Sequence, residues 1–146
     1  MTHMLLALSL TLAAVPVITL ERTTCFGTCP AYKLTIFDDG NVLYEGKDFV
    51  KTKGKAETKI TKDAVQQLVR EFAKLDYMKL DDEYSEGKNC PEGWTDYPSA
   101  ITSLNQDGKT KRVVHYHGCR GLPILDQLTA LEAKIDEVVN TKRWIK

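Results

Sequence analysis

The chain of 146 residues contains no uninterrupted apolar segment of the ~20 residues that a membrane-spanning helix needs. It also lacks a charge excess: Lys plus Arg and Asp plus Glu number 20 each. Nucleic-acid binders gain affinity by neutralising phosphates and normally carry a basic surplus, so that partner class is set aside. No glycine-rich phosphate loop, nucleophile elbow or Cys-x-x-Cys pair occurs. The usual marks of nucleotide binding, α/β-hydrolase chemistry and thiol redox catalysis are therefore missing. Repeats and low-complexity tracts are missing too, and 42% hydrophobic with 27% charged residues is ordinary globular composition. This length fits one domain with one core.

Charge is nevertheless clustered. Between Lys47 and Lys62 stand six lysines against Asp48 and Glu57, and from Asp76 to Glu86 the chain turns acidic. Such blocks are the solvated faces of a strand pair and a loop. Met4 to Val17 is apolar and ends in small residues, the pattern of an export signal, although Met1-Thr2-His3 carries no basic residue. Residues 1–15 are thus expected to be a leader and 16–146 a single exported domain, periplasmic or extracellular.

Val17 to Thr24 alternates apolar and polar residues as a half-buried strand does. Tyr32, Leu34 and Ile36 continue that period, Asp39-Gly40 predicts a type I′ hairpin turn, and Val42 and Tyr44 resume it. A further strand is expected over Asp48 to Lys53 with Gly46 a candidate bulge, and a short edge strand over Glu57 to Ile60. Thr61 can cap a helix whose stripe is Val65, Leu68, Val69, Phe72 and Leu75. Asp81 to Ser99 reads as a long connection of the kind that is functional or cross-linked. A second hairpin turns at Asp107-Gly108, and Pro123 opens a last helix with the stripe Ile124, Leu128, Leu131, Ile135, Val138 and Val139. The expected fold is α+β, an antiparallel sheet of about five strands with two helices on one face, in the order β-β-β-α-β-β-α.

Cys25, Cys29, Cys90 and Cys119 lie in loops or at a strand end. An even count behind an export signal predicts disulfides in an oxidising compartment. Four cysteines allow three pairings. A Cys25–Cys29 bridge closes a very small loop, whereas bridges from that loop to Cys90 and Cys119 would restrict the unfolded chain most, by up to ~4 kcal/mol each. The alternative is a zinc or copper site. His115, His117 and Cys119 recur at every second residue, on one face of an extended strand, and Cys25 and Cys29 could complete the shell. A thiol-redox role for these cysteines is weaker, because Cys-x-x-x-Cys here leads through Pro30 into a strand. The segment Trp94-Thr95-Asp96-Tyr97-Pro98 is good turn material, and Trp94, Asp96 and Tyr97 could form a recognition loop.

Thr19-Leu20-Glu21-Arg22, the run Cys25-Phe26-Gly27-Thr28-Cys29-Pro30-x-Tyr32 and Asp39-Gly40-x-Val42-x-Tyr44-x-Gly46 together resemble a bacterial family of domains of unknown function, DUF6438. Thr95-Asp96-x-Pro98-Ser99, His115-Tyr116-x-Gly118-Cys119 and Leu131-Glu132-x-x-Ile135-Asp136 fit the same pattern, so the resemblance spans about Ile18 to Ile145. It implies a small exported or envelope-associated protein and brings no catalytic residue with it. The leading expectation is a disulfide-braced binding module without a cofactor, not an enzyme, with a protein or small-molecule partner. The runner-up is the zinc, copper or thiol protein, and an enzyme of another mechanism comes third.

Overall fold

A computed structural model describes residues 12–146. Most of the expected leader therefore lies outside the described residues; Leu12 to Val15 are exposed and outside any element, while Pro16 and Val17 already belong to the first strand. No described helix is long and apolar enough to cross a membrane.

Strand alternation builds one large sheet. Its strands are β1 (Pro16–Arg22), β2 (Ala31–Phe37), β3 (Asn41–Asp48), β4 (Gly54–Lys59), β5 (Glu83–Tyr84), β7 (Ser99–Gln106) and β8 (Lys109–Tyr116), in the order β4-β3-β2-β1-β7-β8-β5. Two further short strands, β6 (Glu92–Gly93) and β9 (Cys119–Arg120), pair with each other. The first strand is central, hydrogen-bonded antiparallel to β2 and β7. Ile18, Leu20, Leu34, Ile36, Tyr44, Ala100 and Val113 are buried on one face, where helices α1 (Lys62–Lys74) and α2 (Pro123–Val139) bury their own stripes in the same core. The α+β class with two main helices is as expected.

Local chemistry accounts for the element ends. Thr61 Oγ1 accepts from the Ala64 N–H 3.0 Å away, capping α1, and Pro123 opens α2. At the second hairpin Asp107 and Gly108 both have positive φ (53° and 75°), the expected type I′ geometry. The first hairpin differs. Only Gly40 has positive φ (91°), after a turn closed by the Gly40 N–H on the Phe37 carbonyl. Here the demand on glycine comes from outside the hairpin: a Cβ at Gly40 would collide with the Ile60 carbonyl at the entry to α1.

Two further expectations are corrected. Of the segment Asp48 to Lys53 expected as a strand, only Asp48 is one, as the end of β3; Phe49 to Lys53 is an irregular bend, with Phe49 at φ 52°. The C-terminal segment holds it there, since the Thr52 N–H donates to the Trp144 carbonyl and Tyr44 Oη to the Thr52 carbonyl. Trp144, in the short helix α3 (Lys142–Ile145), stacks on Tyr44 with ring centroids 4.6 Å apart. The connection from Asp81 to Ser99 is also not structureless. It adds β5, paired parallel to β8, and β6, so the sheet is mixed at one edge.

The cysteines are joined Cys25–Cys29 and Cys90–Cys119, with Cα atoms 5.7 and 5.3 Å apart. The Cys25–Cys29 turn is thus closed on itself and not tied to Cys119, whereas the long connection is. The separation of 29 residues in Cys90–Cys119 predicts a loop-entropy contribution of about 3.5 kcal/mol, against about 2 kcal/mol for the four-residue separation of Cys25–Cys29. Urea titration of the two double Cys→Ala variants checks this, and the ranking is wrong if loss of Cys25–Cys29 proves the more damaging.

Candidate functional site

A single register line crosses the sheet. Tyr32 of β2 pairs with Arg22 of β1, Arg22 with Ala100 of β7, Ala100 with His115 of β8, and His115 with Tyr84 of β5. Apart from Arg22, which is half-buried, this row lies in the core. Helix α2 lies over it and places two acidic residues one turn apart, Glu132 at the His115 end and Asp136 at the Tyr32–Arg22 end. Ala100 is the small residue between the two clusters.

At the first cluster, Glu132 is wholly buried. Its two oxygens each lie 2.7 Å from an imidazole nitrogen, Oε2 from His115 Nδ1 and Oε1 from His117 Nε2. The two rings stack with centroids 4.3 Å apart. Burial by itself pushes the Glu132 carboxyl up, but hydrogen bonds from both histidines outweigh it and hold the group below its ordinary value. One ligand atom from each of His115, His117 and Glu132 falls within 4.8 Å of the other two.

His117 reaches the cluster from a turn just beyond β8, fixed on both sides. The His117 N–H donates to the Pro98 carbonyl, and the Trp94 N–H donates to the Gly118 carbonyl. Gly118 is required by that close approach, because a Cβ there would strike the Trp94 carbonyl and the Tyr116 ring. The next residue is held by Cys90–Cys119, so the disulfide braces the segment that presents His117.

The histidines open into a cleft of about 390 Å³, lined also by Tyr97, Arg120, Leu125 and Asp126. His117 is half-buried there. Trp94 is 60% exposed and Phe26 88% exposed, and the Phe26 N–H donates to the Asp96 carbonyl. The Cys25–Cys29 turn and the Trp94–Tyr97 loop therefore meet at the surface, and Tyr97 alone of the three expected loop residues borders the cleft.

At the second cluster, Arg22 Nε lies 2.9 Å from Asp136 Oδ2, and its terminal nitrogen 2.7 Å from the same oxygen. Tyr32 Oη and Thr141 Oγ1 each donate to Asp136 Oδ1 at 2.7 Å. Burial opposes the charge on Arg22, but Asp136 and the neighbouring Tyr32 more than offset it and raise the Arg22 pKa. Burial first, and then Asp136, push the Tyr32 hydroxyl up as well. This carboxylate is fully engaged and holds α2 to the sheet.

Of the residues proposed as metal ligands, the fold brings His115 and His117 together. Cys25, Cys29 and Cys119 are joined in disulfides and offer no thiolate. The carboxylate beside the histidines comes instead from Glu132, which sequence reasoning did not select. Its signal was present: Glu132 sits in register with the apolar stripe Leu125, Leu128, Leu131 and Ile135. Arg22 likewise continues the inward phase of Ile18 and Leu20. Ser99 and Ser103 alternate with the inward Ala100, Thr102 and Leu104 of β7, so they face away from His115.

No curated protein matches this chain in comparison. A family model does match, over residues 16–139, from β1 to the end of α2, a span that holds both disulfides and both clusters apart from Thr141. The chain belongs to that family, described as a domain of unknown function, DUF6438.

Proposed function

We propose that this domain is an exported, disulfide-braced metal-binding module in which His115, His117 and Glu132 hold one divalent zinc or copper ion at the floor of the cleft. The observation that carries the reading is the buried carboxylate faced by two imidazoles, His115 Nδ1 and His117 Nε2, whose rings line an accessible cavity. Two imidazoles and a carboxylate suit these ions, and bonds of about 2.0–2.2 Å set tetrahedral ligand atoms roughly 3.3 Å apart. Small side-chain rotations from the present spacing reach that arrangement. An ion would replace the two ring protons now shared with Glu132. Three protein ligands leave the fourth position open to the cleft.

The export component rests on the two disulfides, which persist in oxidising compartments, together with the apolar leader sequence.

The test is equilibrium dialysis of zinc and copper(II) against the non-reduced full chain and His117→Ala, with the metal assayed by elemental analysis. The expected result is one ion per chain for the wild type and a loss of at least about 100-fold in affinity for the variant. Equal retention by both proteins, or none by the wild type, would leave the cluster as a hydrogen-bonded His–Glu–His brace.

A second reading is favoured by the exposure of Phe26, Trp94 and Tyr97 on adjoining loops. Large exposed aromatics of this kind serve as anchors in binding interfaces.

A further inference from the structure

Arg120 stands at the wall of the same cleft and is pre-positioned. One terminal nitrogen, Nη1, donates to the carbonyls of His117 and Cys119, the latter at 2.9 Å. Its guanidinium carbon sits 5.3 Å from the centroid of the Tyr97 ring. The side chain is thereby folded over the turn that carries His117. Among the described residues no carboxylate forms an ion pair with it. Immobilising an exposed arginine costs side-chain entropy, and the contacts made here leave the rest of its donor fork uncommitted. That fork matches a carboxylate in a bidentate arrangement.

The same cleft is lined from α2 by Asp126, also exposed. Its charge disfavours a second negative group on the ligand. The cavity, about 390 Å³, is at the small-molecule end of ligand sites.

We infer that the cleft takes a small monocarboxylate ligand, whose carboxylate occupies the open position of the ion held by His115, His117 and Glu132 and is gripped by Arg120. This rests on the metal reading above. It assigns Arg120 as a ligand-binding residue, Tyr97 as the ring that holds its guanidinium, and Asp126 as the group that selects against dianions.

The test uses the non-reduced full chain loaded with cobalt(II), whose visible absorption reports the ligands around the ion. Acetate is the probe and malonate the dianion control. Acetate is expected to shift the cobalt band saturably in the wild type. Arg120→Ala should weaken acetate about tenfold or more, the loss of a charge-assisted pair, with Arg120→Lys intermediate. Asp126→Asn should tighten malonate by more than it tightens acetate.

Arg120 is exposed, so its variants are expected to fold, and the cobalt band before acetate is added confirms that the ion site is intact. A cobalt band that acetate leaves unmoved, or moves equally in Arg120→Ala, overturns the carboxylate site and leaves the metal site standing. Failure of the wild type to bind cobalt, zinc or copper overturns both.

Discussion

Glu132→Ala is expected to destabilise the metal-free domain by about 3 kcal/mol, whereas His117→Ala costs about 1 kcal/mol. Glu132 is wholly buried, so its removal leaves a small cavity and takes away the acceptor of a buried ring N–H on His115. His117 is half-buried and regains water when truncated. Because the histidines hold the Glu132 carboxyl below its ordinary value, its share of stability is present above the unfolded carboxylate pKa. That share is lost as pH falls through the lower folded value, and Glu132→Gln should flatten this acid limb. Urea midpoints measured with a chelator present, across the acid range, check both statements. Equal losses for Glu132→Ala and His117→Ala would contradict the account of a buried acceptor.

The second large effect is at the other end of the same helix. Asp136→Ala is expected to cost about 3 kcal/mol, near the lower end for a broken buried pair, because the side chains of Arg22 and Asp136 keep 23% and 20% exposure. The substitution strands the Arg22 guanidinium and removes the acceptor for Tyr32 and Thr141. The double variant Arg22→Met/Asp136→Leu should recover much of that loss, since no charge is then left unpaired. A thermodynamic cycle over Arg22→Met, Asp136→Leu and the double variant measures the coupling. Losses that merely add would show that the pair does not act as a unit.

Much of the architecture was legible in the sequence because period-two alternation and the two helical stripes point to the same core face. Thr61, Pro123 and the Asp107-Gly108 turn are local signals with local causes, and each was readable. The bend at Phe49 to Lys53 was not, because Trp144, almost a hundred residues away, holds it in place. The parallel pairing of Glu83 and Tyr84 with β8 was hidden for the same reason, being two residues long and set by distant partners.

The candidate site was half legible. Spacing alone put His115 and His117 on one side of the chain, and the structure joins them. It did not show that Cys119 is bonded to Cys90, because pairing depends on which loops meet. Nor did it single out Glu132, which periodicity places among leucines but which only the register line Tyr32–Arg22–Ala100–His115 brings over the histidines. An acidic residue in phase with an apolar stripe was the available warning.

X-ray absorption at the zinc edge of the zinc-loaded, non-reduced chain reads the donor atoms around the ion themselves. The expected first shell is imidazole nitrogen and carboxylate oxygen at about 2.0–2.2 Å, with no sulfur. Sulfur scattering at about 2.3 Å, or a chain that retains no zinc to measure, would contradict it.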